Sequence, residues 1–230
     1  KDIQKSAKNA GIKFDVWFSE YKNIHKKREL EKVLKVLEKH KSISEHDGAK
    51  WLADHVLVKS DGQPTYFLAD LAYHYDKLVK RKFEEAIDIW GADHHGYIDR
   101  LKTGLKALGI DPKRLKIIIT QLVRLVENGR EMKMSKRAGE FVTLDDLIKE
   151  VGKDATRFFF LMHSPDSHMD FDLALAKEKS LKNPVYYVQY AYVRCSSIIK
   201  KAGKNPNVKK MGDLDSEAGL NLGRELIKWP

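Results

Sequence analysis

Hydrophobic and polar positions change their period several times along the chain. Leucines and valines recur at three- and four-residue steps in residues 28–41, which predicts an amphipathic helix. Further along, apolar runs of strand length alternate with helical patterns, at 55–59, 65–80, 85–90, 97–109 and 115–120. We expect Thr65 to cap the helix at 65–80, and the apolar strand at 85–90 to be buried. Strands that alternate with helices predict an α/β fold with a parallel sheet.

Helical patterns replace the strands in the second part of the chain. Thr143 and Asp146 have the spacing of a capping box, and the apolar run at 154–162 predicts deep burial. After Asn183-Pro184, apolar residues step by three and four as in the seam of a helical bundle: Val185, Val188, Tyr192, Cys195 and Ile199. We therefore expect an α/β domain over residues 1–177 and part of an α-helical bundle over residues 178–230.

Composition adds a charge and a compartment to this picture. The 230 residues include 43 Lys and Arg against 33 Asp and Glu, a net charge of +10 that favours a polyanionic partner such as nucleic acid or nucleotide phosphates. The single cysteine, Cys195, excludes an internal disulfide and a multi-cysteine zinc site, and it fits a cytoplasmic protein. No apolar run approaches the roughly 20 residues of a membrane span, so we expect no membrane partner.

The helix predicted at 65–80 has a polar stripe opposite its apolar face. Tyr66, Asp70, Tyr73 and Lys77 form this stripe. An aspartate and a tyrosine one turn apart can hold a guanidinium, because the carboxylate accepts two of its N–H groups. Spacing alone equally allows a solvated face with ordinary pairs such as Tyr73–Lys77.

The polar segment Asp93-His94-His95-Gly96 directly follows an apolar strand and is predicted to be a loop. Loops that follow parallel strands are where α/β sheets bind ligands. Asp93 and His94 could contact a ribose hydroxyl, a phosphate or a metal ion, or they could be structural polar residues. No third metal ligand lies at close spacing, which favours a nucleotide contact over a metal.

The segment MKMSKRAG, residues 132–139, concentrates positive charge beside a glycine. Lysines on such a loop, here Lys133 and Lys136, can neutralise charge on a departing phosphate, and Ser135 can donate one hydrogen bond. A solvated basic turn would explain a lone K-x-x-K equally well, but the longer pattern is much rarer.

MKMSKRAG resembles the lysine signature loop of class I aminoacyl-tRNA synthetases, in the variant typical of the arginyl enzymes. The resemblance extends from about Phe14 to Ser197 and includes these segments: SDGQPTYFLADLAYHYDK, GADHHGYIDRLK, FVTLDDLI, DATRFFFLMHSPDSHMDFDLALA and NPVYYVQYAYVR. It implies a Rossmann-type nucleotide-binding fold and an arginine-tRNA ligase. That enzyme activates L-arginine with ATP to arginyl-adenylate and transfers the arginyl group to tRNA(Arg). It also implies Mg²⁺ that accompanies ATP rather than binding to the protein, and we expect the full-length enzyme to be a monomer.

The resemblance assigns roles to individual positions. An arginine site is implied at Tyr66, Asp70 and Asp93. An ATP site is implied at Gly91, Asp93, His94, Met132, Met134 and Lys136. Catalytic roles are implied for Lys133, Ser135 and Lys136, and no metal ligand is expected.

One departure from the family pattern limits the expected activity. Class I synthetases carry an earlier H-I-G-H signature, and no such stretch occurs in this sequence. We therefore expect the second half of the catalytic domain followed by the start of the anticodon-binding domain, inactive alone. A metal-dependent phosphoesterase around Asp93-His94-His95 is one alternative, which stoichiometric bound manganese would favour. A non-catalytic RNA-binding module is another, which ATP binding dependent on Lys136 would exclude.

Overall fold

A computed structural model describes residues 2–132, 142–202 and 216–228. The helices are α1 (Asp2–Asn9), α2 (Glu29–Lys39), α3 (Tyr66–Tyr75), α4 (Ile98–Ala107), α5 (Leu144–Val151), α6 (Lys153–Leu161), α7 (Leu173–Lys177), α8 (Pro184–Ala202) and α9 (Glu217–Ile227). The strands are β1 (Ser44–His46), β2 (Ala49–Leu52), β3 (His55–Val58), β4 (Ala86–Gly91), β5 (Leu115–Thr120), β6 (Val123–Glu127), β7 (Arg130–Glu131) and β8 (Met169–Asp172). Two compact units result, Lys1–Ala176 and Lys177–Pro230.

The strands form three small sheets. β1, β2 and β3 make an antiparallel sheet, whereas β4 and β5 run parallel from the Ala86–Leu115 pair to the Gly91–Thr120 pair. In the third sheet β6 pairs parallel with β8 and antiparallel with β7. The prediction of an α/β fold with parallel strands is therefore confirmed.

Helix α3 lies at the centre of the first unit's core. Its buried residues include Phe67, Leu68 and Leu71, and they belong to one apolar cluster with α2 and α4. Gly104 allows α4 to approach closely, since a Cβ at this position would lie 2.4 Å from a methyl carbon of Leu71. This packing fixes the angle of α3 and therefore which of its polar residues face away from the core.

The predicted capping box is confirmed, and two turns contain glycines with positive φ. Thr143 and Asp146 form a capping box at the start of α5, in which each side chain accepts a hydrogen bond from the other residue's backbone N–H. Helix α4 is followed by Gly109 with a φ of 75°, a conformation that an L-residue rarely adopts. The turn between β6 and β7 is a hairpin turn with positive φ at Asn128 and Gly129.

Thr65 is the N-cap residue of α3, as predicted, but its side chain makes no capping bond. Its hydroxyl lies 2.8 Å from the carbonyl oxygen of Val56 and 3.1 Å from that of Leu57, to which it donates instead. The start of α3 is therefore fixed to the region of β3 by this hydroxyl.

The prediction of a buried strand holds for only one face of β4. Ala86 is buried, but Ile87 and Ile89 on the other face are 57% and 69% exposed. Side chains alternate across a strand, and the described residues cover one face of β4 far more than the other. An apolar sequence therefore predicted more burial than this part of the chain provides.

Two apolar helical stretches are also more exposed than predicted. In α6, Ala155 and Phe159 are buried one turn apart, whereas Leu161 and the adjacent Met162 point away from that face and are exposed. In α8, Val185 is buried, but the next four positions of the expected seam are exposed: Val188, Tyr192, Cys195 and Ile199. The helical bundle stays a prediction.

None of the helices within the described ranges combines the length and the hydropathy needed to span a lipid bilayer.

Candidate functional site

A cavity of about 550 Å³ lies between α3, the end of β4 and the turn that follows it. That turn, Ala92–Tyr97, is a 3₁₀ helix rather than the loop predicted from the sequence. The residues that line the cavity come from α3, from its π-helical extension Asp76–Lys80, from β4 and from this turn: Asp70, Tyr73, His74, Lys77, Ile87–Trp90, His94 and Tyr97. Because the opposite face of α3 packs in the core, three residues of the predicted stripe face this cavity.

Asp70 is a half-buried carboxylate in the cavity wall. The Tyr97 hydroxyl donates a hydrogen bond to Asp70 Oδ2 at 2.7 Å. Burial, and then this hydrogen bond to an anion, raise the pKa of Tyr97 far above its ordinary value, so the phenol stays protonated and keeps donating. Among the described residues, no cationic side chain pairs with Asp70. Its negative charge is therefore open to a cation that enters the cavity.

Asp88 is a second carboxylate in the same cavity and has two cationic neighbours. His74 Nε2 donates to Asp88 Oδ2 at 2.7 Å, and Lys77 Nζ donates to Oδ1 at 2.6 Å. All three side chains are largely buried, with exposed fractions of 3% for His74, 12% for Lys77 and 11% for Asp88. Burial opposes ionisation of Asp88, but its bonds to His74 and Lys77 outweigh burial, and the pKa of this carboxyl is lowered.

His74 bonds to both acidic residues, to the main chain of Asp70 and to the side chain of Asp88. Its Nδ1 lies 2.8 Å from the main-chain carbonyl oxygen of Asp70, and its Nε2 faces the Asp88 carboxylate. A carbonyl oxygen and an ionised carboxylate can only accept, so both ring nitrogens donate in this arrangement. The imidazolium form of His74 satisfies both bonds.

Tyr73 and Lys77 are in contact, as the alternative of a solvated helix face with i,i+4 pairs predicted. Lys77 Nζ lies 4.4 Å from the centre of the Tyr73 ring, within the range of a cation–π contact. Both residues are only partly exposed, and Lys77 is also paired with Asp88. The pair therefore belongs to the cavity wall and not to a solvated helix face.

Aromatic rings form the wall of the cavity near the end of β4. The Trp90 and Tyr97 rings lie 5.7 Å apart, and the Trp90 and His94 rings lie 6.4 Å apart, measured between centroids. An apolar wall beside two carboxylates suits a ligand with a flat or aliphatic part and a positive charge.

The structure brings only some of the predicted site residues to the cavity. Asp70 and His94 line it, whereas Tyr66 is 89% exposed at the start of α3 and does not. Gly91 and Asp93 are not among the lining residues, although they adjoin the lining residues Trp90 and His94 in sequence.

The remaining predicted residues lie elsewhere along the chain. Met132 does not line the cavity, and its backbone N–H bonds to the carbonyl oxygen of Leu125 in β6. Four of the predicted ATP-binding and catalytic residues fall outside the described residues: Lys133, Met134, Ser135 and Lys136.

Sequence reasoning missed Tyr97, Asp88 and His74. Asp88 stands in an otherwise apolar strand, and a charge in that position needs a partner, which was an available signal. His74 follows Asp70 by one helical turn, close to the apolar face. Tyr97 had no local signal, because its contact with Asp70 spans 27 positions.

No three His, Cys, Asp or Glu residues in the described ranges are grouped so that they could hold a metal ion. His94 and Asp93 are both exposed and lie 3.6 Å apart between Nε2 and Oδ2. Within the described ranges, the phosphoesterase alternative therefore finds no complete set of metal ligands.

Comparison with known proteins gives consistent matches. The family model described as "tRNA synthetases class I (R), catalytic domain" matches residues 1–166. The arginine–tRNA ligase of Carboxydothermus hydrogenoformans is 50% identical over 100% of this chain and 43% of that protein. The arginine–tRNA ligase of Heliobacterium modesticaldum is 47% identical over 96% of this chain and 40% of that protein. The chain thus spans less than half the length of these relatives.

Solved structures show the same similarity in three dimensions. A crystal structure from Campylobacter jejuni, provisionally described as an arginyl-tRNA synthetase, superposes with a TM-score of 0.86 at 38% identity. The match covers 97% of this chain and 50% of the Campylobacter jejuni chain. The arginyl-tRNA synthetase of Thermus thermophilus, at 20% identity, shares the fold with a TM-score of 0.70, over 95% of this chain and 48% of that chain.

Proposed function

The chain belongs to the class I (R) tRNA synthetases, and we propose that it is part of an arginine–tRNA ligase whose arginine site is the cavity at Asp70. The observation that carries this proposal is the Asp70 carboxylate, which faces the cavity without a cationic partner among the described residues. A guanidinium supplies the missing charge and can donate two parallel hydrogen bonds to one carboxylate. The aliphatic part of arginine fits against Trp90 and Tyr97.

The reaction proposed is the activation of L-arginine followed by its transfer to tRNA(Arg). A carboxylate oxygen of arginine attacks the α-phosphorus of ATP, the new O–P bond forms, and the bond to the pyrophosphate oxygen breaks. A ribose hydroxyl at the end of tRNA(Arg) then attacks the arginyl carbonyl carbon and AMP leaves. Tyr97 orients Asp70, and Asp70 fixes the guanidinium, so that the arginine carboxylate is presented to ATP.

ATP contacts are proposed for the end of β4 and for the basic loop. His94 lines the cavity, Gly91 and Asp93 adjoin lining residues in sequence, and Met132 precedes the segment that contains Lys133, Met134, Ser135 and Lys136. The two lysines would neutralise the charge of the departing pyrophosphate, with a bond from Ser135. Mg²⁺ would be held by the ATP phosphates, and we assign it no protein ligands.

The finer fold proposed is the second half of a Rossmann-type domain, over residues 1–177, followed by the start of an α-helical anticodon-binding domain. The parallel β4–β5 pair and the exposed Ile87 and Ile89 support the first part, since an apolar sheet face is normally covered. The boundary of the two compact units after Ala176 supports the second. We also propose that the full-length enzyme is cytoplasmic and monomeric.

The proposal is tested by amino-acid-dependent exchange between ATP and pyrophosphate in the full-length ligase, with tRNA(Arg) present. L-Arginine should support exchange, whereas L-citrulline, which has nearly the same shape but no charge, should not. The 230-residue chain should give only background exchange, because it has no H-x-G-H motif. Exchange supported by citrulline as well as by arginine would contradict the role of Asp70.

The part proposed for Lys136 is tested by measuring the two half-reactions separately at single turnover. Lys136→Ala should slow adenylate formation by roughly 10²–10³-fold, the usual cost of removing one transition-state interaction of this type. Transfer from preformed arginyl-adenylate should be nearly unchanged, since no pyrophosphate leaves in that step. Equal losses in both half-reactions would place the loop on tRNA instead.

A further inference from the structure

Two runs of cationic residues, far apart in sequence, meet on one surface of the first unit. One run is Lys26–Arg28, just before α2, and the other is Lys80–Lys82, just after α3. We call these six residues the basic cluster. Glu29, at the start of α2, joins the runs because its buried carboxylate pairs with Lys80. The six residues are all exposed.

Half of the basic cluster is not neutralised. Arg28 pairs with Glu31 at 2.9 Å, and Arg81 pairs with Asp76 at 2.8 Å. In the described part of the chain, the other three cations have no carboxylate partner: Lys26, Lys27 and Lys82.

Lys27 and Lys80, one from each run, lie within electrostatic reach of one another. Partial burial and, after it, the charge of Lys27 lower the pKa of Lys80. Like charges held this close repel, and an anion that binds between them relieves the repulsion.

Exposed aromatic rings are interleaved with these cations. Lys26 Nζ lies 5.5 Å from the centre of the Tyr21 ring, and the Arg81 guanidinium lies 5.1 Å from that of Phe83. Tyr21 and Phe83 are both exposed. Cations that follow a phosphate backbone, beside rings on which bases can stack, are the combination by which proteins bind RNA.

We propose that the basic cluster is an RNA-binding surface that contacts the phosphate backbone beside the cavity. Lys80 lies only three residues beyond Lys77, which lines the cavity, so an RNA strand held on the cluster passes close to the cavity. That this RNA is tRNA(Arg) rests on the proposed function, whereas the backbone contact itself does not.

The test compares two triple variants of the chain that remove equal charge. Lys26→Gln, Lys27→Gln and Lys82→Gln remove the unpaired cations of the cluster. Lys59→Gln, Lys102→Gln and Lys106→Gln form the control, because these lysines are exposed, lie after β3 and on α4, and have no carboxylate partner in the described ranges. Circular dichroism first establishes that both variants keep the wild-type fold.

Binding is measured by fluorescence anisotropy with a labelled tRNA(Arg) transcript and with an RNA hairpin of unrelated sequence. At about 0.1 M salt the cluster variant should bind both RNAs about tenfold more weakly or worse, and the control should change by less than about threefold. The slope of log affinity against log salt should become shallower by about three in the cluster variant, because each of the three substituted lysines neutralises one phosphate in the wild type.

Several outcomes would overturn the inference. In one, the wild-type chain would bind neither RNA, and in another, both variants would lose the same affinity for RNA. In a third outcome, the cluster variant would lose binding to phosphatidylserine vesicles but keep its affinity for both RNAs. The two proposals fail separately. Arginine-specific exchange in the full-length ligase with unchanged RNA affinity in the cluster variant would refute only the RNA surface. Cluster-dependent RNA binding without arginine-dependent exchange would refute only the ligase.

Discussion

Asp70 and Asp88 face the same cavity, but only Asp88 is paired with basic side chains of the described residues. Asp88 is held between His74 and Lys77, whereas Asp70 receives one hydrogen bond from the neutral Tyr97 and has no cationic partner in the described residues. A partly buried carboxylate without a counter-charge is costly to a fold, and a bound cation removes that cost. The difference indicates that Asp88 stabilises the wall and that Asp70 is open to a ligand.

A single helix produces both environments. His74 and Lys77 stand three residues apart on α3 and its extension, so both reach the same carboxylate on β4. Asp70 precedes His74 by one turn, where it accepts a bond from the Tyr97 hydroxyl and forms no ion pair with a cationic side chain of the described residues. The spacing along α3 therefore decides which carboxylate is paired.

The largest expected effect is on stability, from Asp88→Asn in the 230-residue chain. The change leaves Lys77 and His74 buried without their anion, which should lower the free energy of unfolding by about 3–5 kcal/mol. Urea unfolding followed by circular dichroism measures this decrease. Asp99→Asn, an exposed aspartate on α4 with no partner among the described residues, is the control and should have little effect. Equal stability of the two variants would show that Asp88 is not the compensated carboxylate.

Asp70→Asn should have the opposite profile, with arginine binding weakened and stability kept. The substitution keeps the shape but leaves the bound guanidinium without its anion, at a cost of roughly 2–5 kcal/mol in arginine binding. That corresponds to a rise of about thirtyfold or more in KM for arginine in the full-length ligase. The free energy of unfolding of the chain should not fall and should rise slightly, since the substitution removes an uncompensated charge and leaves no partner cation behind. An unchanged KM would mean that Asp70 only faces solvent.

Tyr97→Phe should give a smaller change at the same carboxylate. Without the hydroxyl, Asp70 keeps its charge but is no longer oriented, so KM for arginine should rise by about five- to thirtyfold while kcat changes little. Tyr73→Phe is the matched control, because Tyr73 lines the same cavity and its hydroxyl has no hydrogen-bond partner in the described ranges. A fall in kcat with an unchanged KM would show that Tyr97 does not act through Asp70.

Local sequence patterns predicted the elements of this site better than its contacts. The strands and helices around the cavity follow from periodicity, and the capping box of α5 follows from the spacing of Thr143 and Asp146. The polar stripe on α3 identified Asp70 and Lys77, because helical angles depend only on sequence separation. Periodicity could not show that this stripe faces a cavity and not solvent, since that depends on how β4 packs.

The contacts that define the site join residues distant in sequence. Asp88 pairs with residues 11 and 14 positions earlier, and Tyr97 bonds to a residue 27 positions earlier, so neither partner is visible in a local pattern. Hydropathy also failed for Ile87 and Ile89 in β4. An apolar residue predicts that a face will be covered, but not that the cover lies within the same 230 residues.

The smallest expected effect is the pH dependence of the Asp88 contribution. Its pKa in the folded chain lies below the ordinary value of 3.8, because His74 and Lys77 favour the charged form more than burial opposes it. A carboxyl with a lowered folded pKa stabilises the fold fully above its unfolded pKa and gives up that contribution as pH falls through the folded pKa. Urea unfolding from pH 7 down to about pH 2 should therefore show the wild type and Asp88→Asn converging in the acidic part of this range. A difference that grows as the solution is acidified would show that Asp88 is destabilised by burial, and the contrast with Asp70 would then disappear.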